Sequence, residues 1–204
     1  LLETGKADLV ALGRALVADP DLPNKIRDGR TDEIRRCLRC YSCQGQMMKT
    51  RNILCTVNPV IGQEYDAKYR LPAAHKHKVA VIGGGPTGMS AAYFVGRAGI
   101  PVTLFEKADR LGGIVRQVIP AFRISDEAID KDVALMEKMG VEVKLNTEAP
   151  SVAELKAQGY THIFFAVGAG KAGQLDIPGN VVPVIQWLRD LKAGKEVSLG
   201  HVAV

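Results

Sequence analysis

The chain has 204 residues, of which 47% are hydrophobic and 24% charged, and its formal net charge is +5 at pH 7. These values are typical of a globular protein with one or two domains. No apolar run approaches the roughly 20 residues that cross a bilayer, the net charge is too small to indicate nucleic-acid binding, and no secretory signal is visible. We therefore predict a cytoplasmic protein with neither a membrane nor a nucleic-acid partner.

The first 30 residues predict a strand, a turn and a helix. Residues 7–12 form a nearly continuous apolar run that ends at Gly13 and Arg14, and such a run is typical of a strand buried on both faces of a parallel sheet. A helix follows in "ADPDLPNKIRDGR", with Gly29 as its expected end. This piece is too short to bury a core alone, so we expect its partner strands before residue 1.

All four cysteines lie in the next stretch, with the spacing C-x2-C-x2-C-x11-C. Without a secretory context, disulfides lack their usual setting, and zinc sites usually use two well-separated cysteine pairs. Three close thiolates can instead bind one face of an iron–sulfur cubane while a distant fourth binds the other. The spacing therefore favours a [4Fe–4S] cluster over zinc, with these ligands: Cys37, Cys40, Cys43 and Cys55.

Basic residues and two histidines surround this segment. The basic residues would offset the charge of an anionic cluster, or they form a solvated face: Arg35, Arg36, Arg39, Lys49 and Arg51. His75 and His77 lie in a polar connector and could bind a metal, but solvated linker histidines are the better interpretation because four thiolates already complete a site.

From Lys78 the pattern becomes strand, glycine loop, helix, strand. A strand over 79–82 precedes Gly83-x-Gly85-x-x-Gly88, the helix runs to about Ala98, and a strand over 102–105 ends at an acidic residue. In dinucleotide-binding folds these glycines permit the turn, the approach of a pyrophosphate and close helix packing, and the acidic residue binds a ribose diol. A glycine-rich turn without a ligand is the alternative. The expected dinucleotide-binding residues are Gly83, Gly85, Pro86, Gly88, Glu106, Lys107 and a second turn at Gly112 and Gly113.

The remaining sequence continues the alternation of helices and strands. It predicts a helix capped by Ser125 and ended by Gly140, then a strand over 141–145. A short helix begins with a capping box from Ser151 to Glu154, and "THIFFAVGAG" predicts a buried strand. The buried face of the first helix is expected at Ile129, Val133 and Met136.

The two ends of the sequence predict a longer protein. The chain begins "LLETGKADL", without a Met, and ends "GHVAV", which has the pattern of a strand start. "HKVAV" at 77–81 precedes the glycine loop in the same way as "GHVAV" at 200–204 closes the chain. We therefore expect a second glycine loop, and with it a second dinucleotide, beyond residue 204.

These motifs resemble the iron–sulfur flavoenzymes of the NADH:flavin oxidoreductase, 2,4-dienoyl-CoA reductase and trimethylamine dehydrogenase family. "KADLVALGRALVADPDLPNKIRDGR" is similar to the last strand and helix of the family's FMN-binding (β/α)8 barrel, and "CLRCYSC…CTVNP" is similar to its [4Fe–4S] segment. The C-x2-C-x2-C start is closer to the amine dehydrogenases, because in the dienoyl reductases the gap before the third cysteine is usually one residue longer. From "GGIVRQVIPAFRIS" to "VGAGKAGQLDIPG" the sequence also resembles the small subunit of glutamate synthase.

The resemblance implies an α/β architecture in four parts: the end of a barrel over 1–30, a cluster segment over 31–66, a linker over 67–77 and an incomplete Rossmann-like FAD/NAD(P)-binding domain over 78–204. It implies that Gly13 and Arg14 contact the FMN phosphate. The barrel's active-site residues would all precede Leu1, and no catalytic residue is identified in the sequence itself.

The function implied is electron relay between NAD(P)H, FAD, the [4Fe–4S] cluster and FMN, which reduces a small unsaturated substrate of the enoate type. Two related alternatives are an NADPH-oxidising electron-transfer protein similar to the glutamate synthase small subunit, and an amine dehydrogenase with a structural ADP. A zinc-stabilised binding module would need the cysteines but not the glycine loop, and a plain NAD-binding domain would need only the loop. The relay alone uses both motifs.

Overall fold

The computed structural model describes residues 2–64, 76–169, 173, 178–179 and 181–196. The chain divides into two compact units, Leu1–Leu71 and Pro72–Val204. No helix within the described residues is both long and apolar enough to cross a membrane. The expected linker histidine His75 and the strand repeat at 200–204 lie outside the described residues.

The first unit contains short helices joined by irregular chain. They are α1 (Arg14–Ala18), α2 (Leu22–Arg27), a 3-10 turn (Thr31–Glu33) and α3 (Ser42–Met48). A proline stands in the first turn of α2, where its missing N–H has no intrahelical partner to lose. Gly29 adopts a φ of 72° just after α2, which agrees with its predicted role as the end of that helix.

The strand predicted over residues 7–12 is not formed in this structure. These residues have no regular secondary structure, and the side chain of Leu9 is 89% exposed. A parallel strand is stabilised by hydrogen bonds to a neighbour, and the described residues of this chain place no strand beside it. The apolar run alone is therefore insufficient to form the element.

The second unit is built on a four-stranded parallel sheet in the order β3-β2-β1-β4. The strands are β1 (Val79–Ile82), β2 (Val102–Phe105), β3 (Glu142–Lys144) and β4 (His162–Phe165). The helices are α4 (Pro86–Arg97), α5 (Gly113–Gln117), α6 (Asp126–Lys138), α7 (Val152–Ala157) and α8 (Val184–Lys192). The central strands β1 and β2 pair in parallel, with Val79 opposite Val102. Their bounds agree with the prediction, and β3 is shorter than the predicted 141–145.

Local signals in the sequence set the helix ends of this unit. The Ser125 side chain accepts a hydrogen bond from the Ala128 N–H at 3.3 Å and caps α6. Ser151 and Glu154 form the predicted capping box at the start of α7. Each cap satisfies backbone N–H groups that have no partner within the helix.

Two apolar layers cover the two faces of the sheet. One layer joins β1, β2 and helices α4 and α6: Val79, Val81, Met89, Ala92, Val102, Leu104, Leu111, Met136 and Val141. The other is smaller: Ala80, Phe105, Leu155 and Tyr160. Ile129 and Met136 of α6 are buried and Val133 is half-buried, as the helical periodicity predicted. The layers hold the carboxyl ends of β1 and β2 side by side, where the glycine loop begins.

The strand predicted to be buried in "THIFFAVGAG" is instead largely exposed. Its β4 side chains Phe164 and Phe165 are 44% and 58% exposed. β4 pairs with β1 on one side, and within the described residues no strand pairs with its other side. An apolar run predicts a strand but does not predict what covers it, so this expectation was wrong for the structure described here.

Candidate functional site

The four cysteines line one pocket in the first unit. Three of them precede or enter α3 and the fourth follows it, so the fold of this short segment brings both groups together. The pocket is lined by Arg14, Val17, Cys37, Leu38, Cys40, Tyr41, Cys43, Cys55, Thr56 and Val57. All four thiols are free. Among the described residues, no three His, Cys, Asp or Glu side chains lie close enough to hold a single metal ion, so the thiols line a common pocket without forming the ligand set of one ion.

The backbone around Cys40 adopts an unusual conformation that suits an anionic ligand. Arg39 and Tyr41, on either side of it, have φ values of 55° and 58°, which non-glycine residues rarely adopt. The Arg39 N–H donates to the Cys37 sulfur at 3.4 Å. Turns of this kind direct successive N–H groups towards one concavity and occur at phosphate and iron–sulfur sites. The residues present therefore fit an anionic cluster.

Hydrogen bonds to Cys40 favour its thiolate form. Donors from Ser42 and from Thr56, whose hydroxyl lies 3.2 Å from the sulfur, lower the pKa of Cys40 to about 7. The thiolate is the form that binds metals, and donors to sulfur orient such ligands. The chemistry of the cysteine pocket thus suits metal or cluster ligation.

The Thr56 hydroxyl gives a direct test of this effect. In protein without bound metal, the alkylation rate of Cys40 by iodoacetamide is expected to rise with pH through an apparent pKa of about 7. Thr56→Val removes one donor, so the rate at pH 7 is expected to fall about threefold. Thr56→Ser keeps a hydroxyl and is the matched control. Equal rates in the two variants, measured by mass spectrometry of the labelled peptide, would contradict the role of the hydroxyl.

A buried carboxylate fixes the start of the cysteine segment. Asp19 is fully buried, its carboxylate accepts from Lys25 Nζ at 2.7 Å, and it also accepts from the Arg35 N–H at 2.9 Å. Burial by itself would raise the pKa of Asp19, but the hydrogen bonds from Lys25 and Arg35 outweigh it and hold the pKa below its usual value. Asp19 therefore stays ionised at neutral pH and ties α1 and α2 to the chain before Cys37.

A second buried polar residue ties the end of the segment to α1. Asn58 is fully buried, and its amide donates to the Val17 carbonyl at 3.0 Å. The sequence interpretation did not single out Asp19 or Asn58. Each acts on residues distant in the chain, so no local spacing identifies it.

Arg14 contributes the positive charge of the cysteine pocket. None of the five basic residues expected to offset a cluster lines the pocket; the Arg35 side chain instead lies 3.8 Å from the Asp19 carboxylate. Arg14 lines the pocket, and its guanidinium carbon lies 4.4 Å from the centre of the Tyr41 ring. Gly13 precedes α1 and is exposed. The predicted contact of Gly13 and Arg14 with an FMN phosphate stays a prediction.

The glycine loop of the second unit uses Gly83 and Gly88 for the fold itself. Gly83 ends β1 with a φ of 104°, and an added Cβ would collide with the Ala166 carbonyl. A Cβ at Gly88, in the first turn of α4, would collide with the Gly83 carbonyl. Both positions therefore need glycine whether or not a ligand is bound.

No contact within the described protein requires glycine at position 85. Its φ of −75° and ψ of 179° suit any residue, and the nearest atom to an added Cβ would be the Gly113 Cα, 4.0 Å away. The space beside Gly85 is therefore open at the N-terminus of α4, where backbone N–H groups and the helix dipole favour a phosphate. This open position fits the approach of a pyrophosphate.

The second glycine turn packs directly against the first loop. The Gly112 N–H donates to the Gly84 carbonyl at 2.8 Å. A Cβ at Gly113 would lie 2.8 Å from the Gly85 Cα. The structure thus brings together the two glycine turns that the sequence predicted to lie near one ligand.

Glu106 lies at the end of β2, next to both turns. Its two carboxylate oxygens accept from the Gly84 N–H at 2.5 Å and from the Ala108 N–H at 2.8 Å. Each carboxylate oxygen has a further lone pair that can accept a ribose hydroxyl. Pro86 and Lys107 are exposed beside the loop.

Comparisons with known proteins found similar proteins for both units of the chain. Residues 81–139 match the model of an NAD(P)-binding Rossmann-like domain. Cinnamate reductase from Clostridium sporogenes is 39% identical over 170 residues, which cover 81% of this chain and 25% of that protein. The structure of a 2-naphthoyl-CoA reductase in complex with 2-naphthoyl-CoA matches with a TM-score of 0.78 and 36% identity over 98% of this chain and 30% of that chain.

A 6-hydroxypseudooxynicotine amine oxidase from Pseudomonas geniculata matches with a TM-score of 0.68 and 29% identity, over 95% of this chain and 31% of that chain. The chain spans about a quarter to a third of the length of these relatives. Their matches include both the cysteine segment and the dinucleotide-binding unit. The chain is homologous to flavin and iron–sulfur oxidoreductases of the 2,4-dienoyl-CoA reductase family.

Proposed function

We propose that the chain provides the cluster-binding and dinucleotide-binding parts of an enzyme that takes electrons from NAD(P)H and reduces an unsaturated substrate of the enoate type. One observation carries the proposal: cysteines from both sides of α3 line one pocket in a chain whose other unit carries an open glycine loop. Two relatives are named for cinnamate and 2-naphthoyl-CoA. In both compounds the unsaturated carbons are conjugated to a carboxyl or thioester group, which supports this substrate class.

Each candidate site has a distinct task in this proposal. When bound, FAD and FMN would supply hydride chemistry, and a [4Fe–4S] cluster would supply single-electron transfer. The four cysteines would hold the cluster as thiolates. Gly85 and the first N–H groups of α4 would bind the FAD pyrophosphate, with Gly112 and Gly113 beside it, and Glu106 would accept from the adenosine ribose. The negative charge of Glu106 disfavours a ribose with a 2′-phosphate at this position.

We propose that residues 1–30 complete an FMN-binding barrel in the whole protein. The structural match to 2-naphthoyl-CoA reductase over 98% of this chain supports this, because such structural neighbours are flavin oxidoreductases with barrel domains. The barrel phosphate site would then lie near Gly13 and Arg14, since such barrels place phosphate at the carboxyl ends of their strands.

Amine oxidation is the second candidate function. The structural similarity to an amine oxidase over 95% of this chain favours it. In that case the cysteine pocket keeps its role, but the glycine loop would hold ADP as a structural ligand. Electrons would then leave the protein to an external acceptor.

The ligands of the full-length protein distinguish these candidates. Anaerobically purified protein is expected to contain iron and sulfide, to release FAD and FMN on denaturation, and to oxidise NADH or NADPH when cinnamate-type acceptors are added. ADP in place of FAD, with activity on amines, would favour the second candidate. Stoichiometric zinc without sulfide would contradict both and favour a zinc-stabilised module.

A further inference from the structure

A second pocket, here called the α8 pocket, lies within the dinucleotide-binding unit. It is lined by the segment before the second glycine turn, the end of α5, the start of α6 and the last turns of α8. Its volume is about 380 Å³, far above the roughly 10–15 Å³ that one water molecule needs. Its charged lining residues are Arg110, Arg116, Arg189, Lys192, Asp109 and Asp126. None of them belongs to the residues expected to bind the dinucleotide.

Arg116 gives the α8 pocket a buried hydrogen-bond donor that the described protein leaves unused. Its side chain is only 7% exposed. Its Nε donates to the Leu111 carbonyl and its Nη2 to the Asp130 carboxylate, both at 2.5 Å, and these bonds fix the guanidinium next to the second glycine turn. Its Nη1 is buried and makes no hydrogen bond, although the Asp126 carboxylate lies 3.4 Å away. A buried charged donor without an acceptor is destabilising, so an acceptor in the pocket would be stabilising.

Arg189 supplies a second unused donor from α8. Its Nε is buried and has no hydrogen-bond partner, and its Nη1 lies 3.5 Å from the Gln186 side-chain oxygen. The neighbouring carboxylate, Asp190, is instead paired with Lys195 at 2.7 Å. α8 is held in place by Lys192, whose Nζ donates to the Ile119 carbonyl at 2.7 Å. The α8 pocket therefore has free donors on two different helices.

The lining of the α8 pocket carries an excess of positive charge, because four basic side chains face two acidic ones. The excess stays positive when Asp130, the partner of Arg116, is included. One carboxylate, that of Asp126, is shared by three cations: Arg110 at 3.0 Å, Arg116 at 3.4 Å and Lys192 at 3.8 Å. Clustered arginines bind phosphate through charge-assisted hydrogen bonds. A phosphate group has three strong acceptor oxygens, so one group can accept from α5 and α8 together.

We propose that the α8 pocket binds a phosphate group, which is either free phosphate or the 2′-phosphate of NADPH. Arg116 Nη1 and Arg189 Nε donate to its oxygens, and Arg110 and Lys192 add positive charge. The NADPH source agrees with the charge of Glu106, which disfavours a 2′-phosphate at the glycine loop, so that group needs a cationic site elsewhere. The inference goes beyond the proposed function, because phosphate binding in this pocket requires neither a cluster nor a flavin.

Titration calorimetry of the full-length protein, with its own dinucleotide retained at the glycine loop, tests this with inorganic phosphate, NADP⁺ and NAD⁺. In Arg189→Gln, the affinity for inorganic phosphate is expected to fall at least about tenfold. Arg97→Gln removes a charge from the exposed last residue of α4 and is the matched control, expected to bind as the wild type does.

The two nicotinamide dinucleotides distinguish the sources of the phosphate. If NADPH supplies it, NADP⁺ binds the wild type more tightly than NAD⁺ does, and Arg189→Gln removes the difference. Equal affinities for NADP⁺ and NAD⁺, together with binding of inorganic phosphate that depends on Arg189, assign the pocket to free phosphate.

Asp126→Asn tests the inference in the opposite direction. A bound phosphate competes with the Asp126 carboxylate for the same cations, so removal of that charge is expected to tighten phosphate binding about fivefold. If the cations only stabilise the fold, the variant would bind phosphate no better than the wild type. This variant also decides the question if thermal denaturation shows that Arg189→Gln does not fold.

Three results would overturn the inference. They are a wild-type protein that binds neither inorganic phosphate nor the 2′-phosphate of NADP⁺, equal losses of affinity in Arg189→Gln and Arg97→Gln, and unchanged or weaker phosphate binding in Asp126→Asn. None of these results depends on the iron, sulfide or flavin content of the protein, so the proposed function is tested separately.

Discussion

Cys55→Ser is expected to remove most of the iron and sulfide from the full-length protein and to abolish electron transfer through the cysteine pocket. Cys55 follows α3 in the chain and lines the same pocket as the other three cysteines. A cubane needs four thiolates, so the three remaining ligands would leave one iron of a cluster without its thiolate. We expect the visible absorbance of the cluster to fall to below about a tenth of the wild-type value, because iron–sulfur clusters depend on complete thiolate ligation.

The matched control lies within α3. Gln44→Ala changes an exposed residue next to Cys43 and is expected to keep the full iron content. Iron and sulfide are measured chemically after anaerobic purification, and flavin content is measured on the same samples. Normal iron in Cys55→Ser would show that Cys55 is not a ligand. Zinc, in place of iron, in the wild type would show that the pocket binds a single ion.

Gly85→Val is expected to weaken dinucleotide binding at least about 100-fold, equal to about 3 kcal/mol. The added side chain would occupy the open space at the N-terminus of α4. There the pyrophosphate would accept hydrogen bonds from backbone N–H groups. Charge-assisted hydrogen bonds of this kind contribute about 1.5–3 kcal/mol each. The fold should tolerate the smaller change Gly85→Ala, because the nearest protein atom to an added Cβ would be the Gly113 Cα, 4.0 Å away. We expect its free energy of unfolding to change by less than about 0.5 kcal/mol.

Gly88→Ala is the control that separates binding from folding. Its Cβ would collide with the Gly83 carbonyl, so this variant is expected to lose about 1–3 kcal/mol of stability. Thermal denaturation measures the stability of each variant, and titration calorimetry with the released dinucleotide measures its affinity. Undiminished affinity in Gly85→Val, or equal destabilisation by Gly85→Ala and Gly88→Ala, would contradict the assignment of Gly85 to the ligand.

Short-range signals account for the parts of the fold that were predicted correctly. The apolar runs of β1 and β2 begin after Lys78 and Pro101 and end before Gly83 and Glu106. Ser125 and Ser151 cap their helices through partners three residues away. Such features depend on backbone geometry within one turn, so the sequence alone is sufficient to predict them.

The two wrong predictions that rested on apolar runs have one cause. Residues 7–12 and β4 are both apolar runs, and the first forms no strand while the second lies exposed at a sheet edge. Strand formation and burial depend on hydrogen bonds and packing with other segments. An apolar run gives no information on whether such partner segments lie beside it.

In the candidate sites, too, some features follow from the sequence alone and others depend on tertiary packing. The amino-acid sequence alone established the identity of the cysteine ligand candidates, the glycine loop and the acidic end of β2, because these signatures depend on residue type and spacing. Only the tertiary structure distinguished Gly85, which has open space, from Gly83 and Gly88, which pack against backbone. It also placed Arg14 at the cysteine pocket. Contacts between residues distant in the chain arise when elements pack, and local spacing does not encode which side chains then meet.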